Sequence, residues 1–532
     1  MVTMKNSKYW ENRANQRMAI YHKNSDRTIE TITKAYDKAV KDIEEEIRKI
    51  YDKFSTAGKL SPREARKLLN SKISVKELNR IRNKIKHIQD EDIKRRLLSI
   101  LNAPAYKARI TRLEALKQDI YIQSKMIADV ELRASTSQYI DTINEAYYKQ
   151  IYDIQKGLGI GFDIAAMSTR TIETILKNPW SGKHFSERIW HNTDVLAEKL
   201  TEIITSGFMS GKSIDKMARE LQEYTEYGKY AAIRLVRTET TYMANAAEME
   251  SYKECGIEKY IYVATLDNRT STICQSLDRK VFNVKDGVAG KNMPPMHPFC
   301  RSTTRAYLGP DTLKGIKRRA RDPKTGKTYL VPADMNYKEW YQKYVVDKYG
   351  KDQAEIMKKK LINKASDKKQ YKRYKEVLGK DMPVKTFDKF QDLKYNDIER
   401  WRKIKRSYGL IKLEKSKIDT VEKAKEYIEL LDKTIHEGKQ GKHIIGHNNF
   451  IDGRSYLTIS IEKAQELVNK YAGTGKLQFN KKGEWNKKEL IIIDREIGVN
   501  VNNNTGEKTP TNKFIIHYSK SGTHIVPTLK ER

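Results

Sequence analysis

Histidines that can move a proton crowd toward the end of this chain, next to cations that can steady a phosphate. Five of the ten histidines lie beyond residue 416. Lys442, His443, His447 and Arg454 fall in one stretch, and His517, Ser519, Lys520 and His524 in another. These residue types suit metal-independent cleavage of RNA. One imidazole takes the ribose 2′-hydroxyl proton, a second protonates the leaving oxygen, and a lysine or arginine steadies the phosphorane. His443 and His517 are the first candidates for acid and base, with Lys520 on the phosphate and His447 and His524 as alternates. On an alternating strand Ile516 and Tyr518 point away from His517, so His517 and Ser519 share a face. Turn-stabilising roles for individual histidines compete with this reading.

A second group with chemistry sits mid-chain. Cys274, His297 and Cys300 are zinc-type ligands, and Asp267, Asp278 or water would make a fourth. The competing reading is a hydrogen-bonded turn in which His297 and Arg301 staple the proline-rich loop to a helix. Upstream, Arg237 and Glu239 fall on an expected helix and read as an ion pair that pins it to the loop.

Four segments must position these residues. Residues 1–155 read as a helical domain, because Asp26–Phe54 carries Ile29, Ile32, Ala35, Ala39, Ile43, Ile47 and Ile50 at three-to-four spacing. Ser61-Pro62 and the Ser74/Glu77 pair are helix starts. Gly157, Gly159 and Gly161 mark a break without the spacing of a dinucleotide site. Within 156–310, Ser213 caps a helix, a second helix is expected over about 229–252 and ends at Gly256, and Tyr260–Ala264 reads as a strand. Residues 311–415 read as a basic helical connector whose interleaved aromatics suit phosphate contact and stacking. Residues 416–532 gain glycine, asparagine and short strands. Gly473-Thr474-Gly475-Lys476 lacks the full P-loop pattern and reads as a helix stop.

The bulk composition narrows the function classes. Lys and Arg outnumber Asp and Glu by 104 to 69, a net charge of +35, so a polyanion or acidic partner is expected nearby. Three cysteines in 532 residues exclude a disulfide framework and fit a reducing cytosol. The N-terminus lacks the apolar run of a signal peptide, and no stretch approaches a membrane span.

The run ATLDNRTSTICQSLDRKVF, then NMPPMHPFCRSTTRAY, with Arg237-Thr238-Glu239 upstream, closely resembles the phage head-morphogenesis family of Mu F-like minor head proteins over roughly residues 165–310. Many relatives carry C-x-x-C and H-x-x-C-R-C; here Ser271 and Ser302 stand at the first and last of those positions. The resemblance makes Arg237, Glu239, Asp267, Arg269 and Arg301 structural motif residues, and leaves Cys274, His297 and Cys300 for a structural zinc. The end of the chain, with KQGKHIIGHNN, AQELVNKYAGTG and IHYSKSGTHIVP, resembles the polymorphic toxin type 50 domain, a ribonuclease of the barnase–EndoU–RelE-like fold. That resemblance implies no required cofactor.

The expected fold is therefore α+β in several domains: mainly α-helical N-terminal and middle domains and a small α+β tail. The leading function is a minor capsid protein near the portal, acting in head morphogenesis and in DNA packaging or ejection. Its implied partners are portal, capsid and scaffold proteins, viral DNA, and an RNA substrate for the tail, with no membrane. Its implied place is the capsid interior, after assembly in the host cytoplasm. The rival readings are a virion-delivered RNase effector and a non-specific DNA-binding protein.

Overall fold

The apolar stripe of the first helix dictates where the N-terminal core begins. In the computed structural model, which describes residues 8–54, 61–103, 110–158, 161, 164–309 and 317–530, helix Lys8–Phe54 buries Ile32, Ala39, Ile43, Ile47 and Ile50. Tyr36 is fully buried, whereas Ala35 lies only half-buried beside the stripe. Ser61 and Ser74 close capping boxes with Glu64 and Glu77, as the sequence implies. The chain divides into two units, Met1–Ala354 and Glu355–Arg532.

In the first unit, helices Lys8–Phe54, Arg112–Leu158, Phe185–Met209 and Ile214–Glu254 pack together. Met18, Tyr21 and Tyr139 share one core with Tyr242, Tyr260 and Met293. That core runs across the expected boundary near residue 155, because helices Lys8–Phe54 and Arg112–Leu158 pack on each other and also on helices Phe185–Met209 and Ile214–Glu254. Gly157 lies in the last turn before Leu158; Gly159 lies outside the described residues. The two helices expected after Ser213 are one continuous helix, Ile214–Glu254. Gly228 does not break it. A Cβ there would stand 2.7 Å from the Tyr36 ring, so this glycine lets the helix cross Lys8–Phe54 closely.

Gly256, at φ +65°, turns the chain into a three-stranded antiparallel sheet of order β2-β1-β3. Its strands are β1 (Lys259–Val263), β2 (Val281–Asn283) and β3 (Thr303–Ala306). The basic stretch expected to be helical forms instead the hairpin β4 (Lys317–Arg321) and β5 (Thr328–Pro332). Its sequence alternates: Arg318 and Ala320 are buried, while Lys317, Arg319 and Arg321 are exposed. Asp322 accepts from the amides of Lys324 and Thr325, and Gly326 at φ +70° completes the turn. Charge density hid this period-two pattern.

In the second unit, helices Lys364–Leu378, Phe387–Asn396 and Ile398–Ser416 close around Tyr374, Phe390 and Ile404. Tyr374 stacks on Tyr408 at 4.0 Å and on Trp401 at 5.6 Å. The aromatics of this basic stretch thus pack on one another. The end of the chain forms two antiparallel sheets. One has the order β10-β9-β6, the other β12-β11-β8-β7. The strands are β6 (Tyr456–Leu457), β7 (Lys476–Phe479), β8 (Trp485–Ile492), β9 (Gly498–Val501), β10 (Lys508–Thr511), β11 (Lys513–His517) and β12 (His524–Pro527). Helices Val421–Leu430 and Ile461–Tyr471 contribute Tyr427, Ile428, Leu467 and Val468 to a core with Trp485, Phe514, Ile516 and Ile525. Leu413, from helix Ile398–Ser416, joins that core, so a boundary at 416 cuts through it. The chain is α+β, largely helical, with small antiparallel sheets.

The glycine turn after helix Ile461–Tyr471 has its own anion. The amides of Gly473 and Gly475 donate to the buried Glu489 carboxylate at 2.9 and 2.5 Å, which agrees with a helix stop. Among the described residues no helix is long and apolar enough to cross a membrane.

Candidate active site and candidate metal centre

Strand register creates the tail's histidine cluster. β11 and β12 are antiparallel and pair His517 directly with His524, so their rings stack at 4.6 Å. His443 arrives from a different segment. The Gln440 side chain donates to the Ile525 carbonyl at 3.0 Å and accepts from the Ile525 amide at 2.8 Å, acting as a short extra strand on the edge of β12. That docking sets the His443 ring 6.1 Å from His524 and parallel to it. His443 Nδ1 donates to the Ser455 carbonyl at 2.7 Å, which leaves Nε2 as the basic nitrogen.

All three imidazoles are held below the ordinary histidine range. Burial and then the Lys488 and His443 charges take His517 down to about 4. Burial and then His517 and His443 take His524 to about 3. Burial also lowers His443, opposed by its bond to Ser455. The cluster is therefore neutral at pH 7.

The structure sorts the remaining candidates. Lys520 donates to Glu414 at 2.5 Å, and Lys487 reaches the same carboxylate at 2.8 Å. Burial alone would raise Glu414, but these lysines and Tyr427 hold it at about 2. His447 accepts from the Asn449 amide at 3.0 Å and lies 3.8 Å from Glu437, so it serves its own turn. Lys442 and Arg454 are exposed, and their charges reach His443. Ser519 donates to the Gly522 carbonyl at 2.6 Å. A residue missed in the sequence stands closer to the cluster. The Lys439 ammonium donates to the Ser519 and Ser521 hydroxyls at 2.9 and 2.8 Å, and its charge lowers His524. Among the described residues it meets hydroxyls and no carboxylate. Nothing in its spacing marked it, because only the docking through Gln440 turns it toward β12.

In the first unit, Cys274 sits on the short helix Thr272–Leu277, capped by Ser271, and the other two candidates sit on the loop before β3. Cys274 Sγ lies 3.3 Å from His297 Nε2 and 3.7 Å from Cys300 Sγ. All three ligand atoms fall within 4.8 Å of one another, the one such group among the described residues. The sulfurs are too far apart for a disulfide. Tetrahedral zinc with Zn–S bonds of about 2.3 Å would hold them roughly 3.8 Å apart, which fits. The carboxylates considered as a fourth ligand are engaged elsewhere. Asp267 takes two bonds from Arg301, at 2.5 and 2.8 Å. Burial alone would raise Asp267, but the bonds and charge of Arg301 hold it below the usual carboxylate range. Asp278 takes Arg318 and the Ala264 amide.

The expected Arg237–Glu239 pair does not form, because residues two apart point to different sides of a helix. Arg237 binds Asp26, Ser25 and the His22 carbonyl on helix Lys8–Phe54. Glu239 accepts from the Trp180 indole at 3.0 Å, and burial pushes it up to about 7. The loop is tied to the helix by threonines instead. Thr238 accepts from the Phe299 amide at 3.1 Å, and Thr241 donates to the Cys300 carbonyl at 2.8 Å. Arg269 stays 3.6 Å from Asp267.

Each of these two sites lies in a segment that matches a known family. Residues 198–305 match the family described as Phage Mu protein F like protein, and residues 435–527 match Bacterial toxin 50. The first match contains the cysteine–histidine loop and the second contains the histidine cluster, so a phage-type segment precedes a toxin-type segment in one chain. The chain is also similar to the NAD(+)--arginine ADP-ribosyltransferase EFV of Enterococcus faecalis (strain ATCC 700802 / V583), with 27% identity over 216 residues. That similarity covers 37% of this chain and 42% of the relative, so it spans less than half of either protein.

Proposed function

We propose that this chain is a virion-associated phage minor head protein whose C-terminal domain is a metal-independent ribonuclease of the barnase–EndoU–RelE-like fold. The observation that carries the enzymatic part is the convergence of His443, His517 and His524 beside Lys439, inside the segment that matches a toxin family. His443, with Nδ1 committed to Ser455, takes the 2′-hydroxyl proton at Nε2. The His517–His524 pair supplies the acid: a bound phosphate raises the nearer imidazole, which then delivers its proton to the leaving oxygen. Lys439 steadies the charge that develops on the phosphorane. The match to a Mu F-like family supports association with the head, and the +35 charge supports a place beside viral DNA near the portal, in packaging or ejection. The similarity to a named ADP-ribosyltransferase favours a toxin role for this chain.

Labelled RNA incubated with the full chain in EDTA tests the reading. Cleavage is expected, and a folded chain that leaves the RNA intact would sink the ribonuclease. Lys439→Ala is expected to lower cleavage by about 100-fold, the usual effect of removing one donor to the transition state. Lys520→Ala, tied to Glu414, is expected to lower it less than about threefold. The reverse order would return the phosphate role to Lys520.

Cys274, His297 and Cys300 fit a structural zinc with water as the fourth ligand. Elemental analysis of the purified chain is expected to give one zinc per chain, lost in Cys300→Ser. A content below about 0.2 per chain, against a one-to-one site, rejects zinc and leaves the hydrogen-bonded turn.

A further inference from the structure

Segments far apart in sequence wall a cavity of about 890 Å³ in the first unit, beside the cysteine–histidine loop. Helix Lys8–Phe54 contributes Lys23, helix Ile214–Glu254 contributes Arg237, the loops after β1 and before β3 contribute Arg269 and Arg301, and β4 contributes Arg319 and Arg321. Against these six cations the described lining offers one carboxylate, Asp26, and Arg237 already holds it. Arg301 is satisfied by Asp267 just behind the wall. Arg321 donates to a neutral carbonyl, that of Gly326, at 2.9 Å. Among the described residues Lys23, Arg319 and Arg321 have no anionic partner.

Folding has therefore gathered like charges with too few counter-charges. Arg269 registers this: burial and then the Arg301 and Arg321 charges pull its guanidinium below the ordinary range. A cleft lined by one sign of charge, with low-dielectric walls, concentrates counter-ions. Guanidinium groups are matched to phosphate oxygens by their planar forks. The wall also carries apolar surface from the half-buried Phe299, which a nucleobase would cover. Phe299 stands at φ +60°, packed 5.6 Å from the Tyr230 ring, so its place on the wall is fixed. The volume suits a ligand of a few rings and phosphates.

We propose that this cavity binds a run of closely spaced phosphates carried by a nucleotide unit, either a free nucleoside polyphosphate or a single nucleic-acid strand threaded by its backbone. The site is distinct from the tail's histidine cluster, and it differs from general attraction to DNA because cations from separate segments converge on one cleft.

The test is calorimetric titration of the full chain with adenosine triphosphate and, separately, with a five-residue oligothymidylate. One probe or both should bind at one per chain. Arg319→Ala with Arg321→Ala should weaken binding by about tenfold or more, because each charged hydrogen bond lost is a large share of such an affinity. Both side chains are exposed on β4, so circular dichroism should show an intact fold. Arg319→Lys with Arg321→Lys, which keeps the charge but loses the planar fork, should bind more weakly than the parent and more tightly than the double alanine variant. Lys439→Ala in the tail should leave the titration unchanged. Triphosphate binding alone identifies a free polyphosphate ligand, and tighter oligonucleotide binding identifies a strand. The proposal is overturned if neither probe binds at millimolar concentration. It is equally overturned if the double alanine variant binds like the parent, or if Lys439→Ala removes the binding.

Discussion

His524→Ala is expected to lower RNA cleavage by the full chain by about 10²- to 10⁴-fold, the range for losing a positioned acid–base group. His524 stands between His517 and His443, so its loss removes the contact through which all three act together. The same measurement carries a pH signature. His517 at about 4 and His524 at about 3 are unprotonated in the free enzyme at pH 7, so the acid form is scarce there and grows scarcer as pH rises. The profile of kcat/KM, which reports the free enzyme, is expected to be bell-shaped with its maximum below pH 6.5. A rate that climbs steadily to pH 8 would exclude an imidazole acid. Stability follows the same groups. Between the unfolded histidine value near 6.5 and these lowered folded values, the unfolded chain binds more protons than the folded one. The tail is therefore expected to lose stability as pH falls from 6.5 through about 4. His517→Ala should flatten that loss, as followed by urea unfolding at several pH values.

Arg318→Ala is expected to destabilise the first unit by about 3–5 kcal/mol, the cost of stranding one member of a buried ion pair. Arg318 and Asp278 are both fully buried, with Nη1 2.8 Å from one carboxylate oxygen and Nη2 3.1 Å from the other. Arg318 also donates to the Ala264 and Met335 carbonyls, so it joins β4 to the end of β1. Deleting its side chain leaves Asp278 without its counter-charge in an apolar setting. Urea titration should show an early transition for the first unit, with the tail's transition unmoved. Replacing both partners, Arg318→Met with Asp278→Leu, should recover part of the loss, because no charge is then stranded. Recovery stays partial because Asp278 also accepts from the Ala264 amide. A loss under about 1 kcal/mol for Arg318→Ala would mean that water reaches the pair.

Local chemistry was legible in the sequence. Ser61, Ser74 and Ser213 start helices in the structure, since a cap is decided within one turn. Gly256 ends one, and Tyr260–Val263 form a strand. The ordered runs Arg237-Thr238-Glu239, LDNRTSTIC and PPMHPFCRS, and the tail's KQGKHIIGHNN, AQELVNKYAGTG and IHYSKSGTHIVP, carried the resemblance to the two matched families. Cys274, His297 and Cys300 were readable as a ligand set through the resemblance to the head-morphogenesis family, and the fold brings them together.

Everything that depended on which elements meet was decided by the tertiary structure. The pairing of His517 with His524 is a matter of strand register, and that of His443 depends on a side-chain amide docking against β12. Lys520 and Lys439 look alike as sequence; an upstream carboxylate, Glu414, takes the one, and the Ser519 and Ser521 hydroxyls hold the other. Arg237 and Glu239, two positions apart, were sent to different neighbours by the pitch of their helix. The KRRAR strand passed for a helical stretch because lysine and arginine favour helices; its alternation acquires meaning only once Asp278 is there to receive Arg318. Sequence determines caps, periods and ligand types because these act over a few residues. Partners separated by tens or hundreds of residues are chosen by packing, where burial makes a matched charge or ring stabilising and an unmatched one costly.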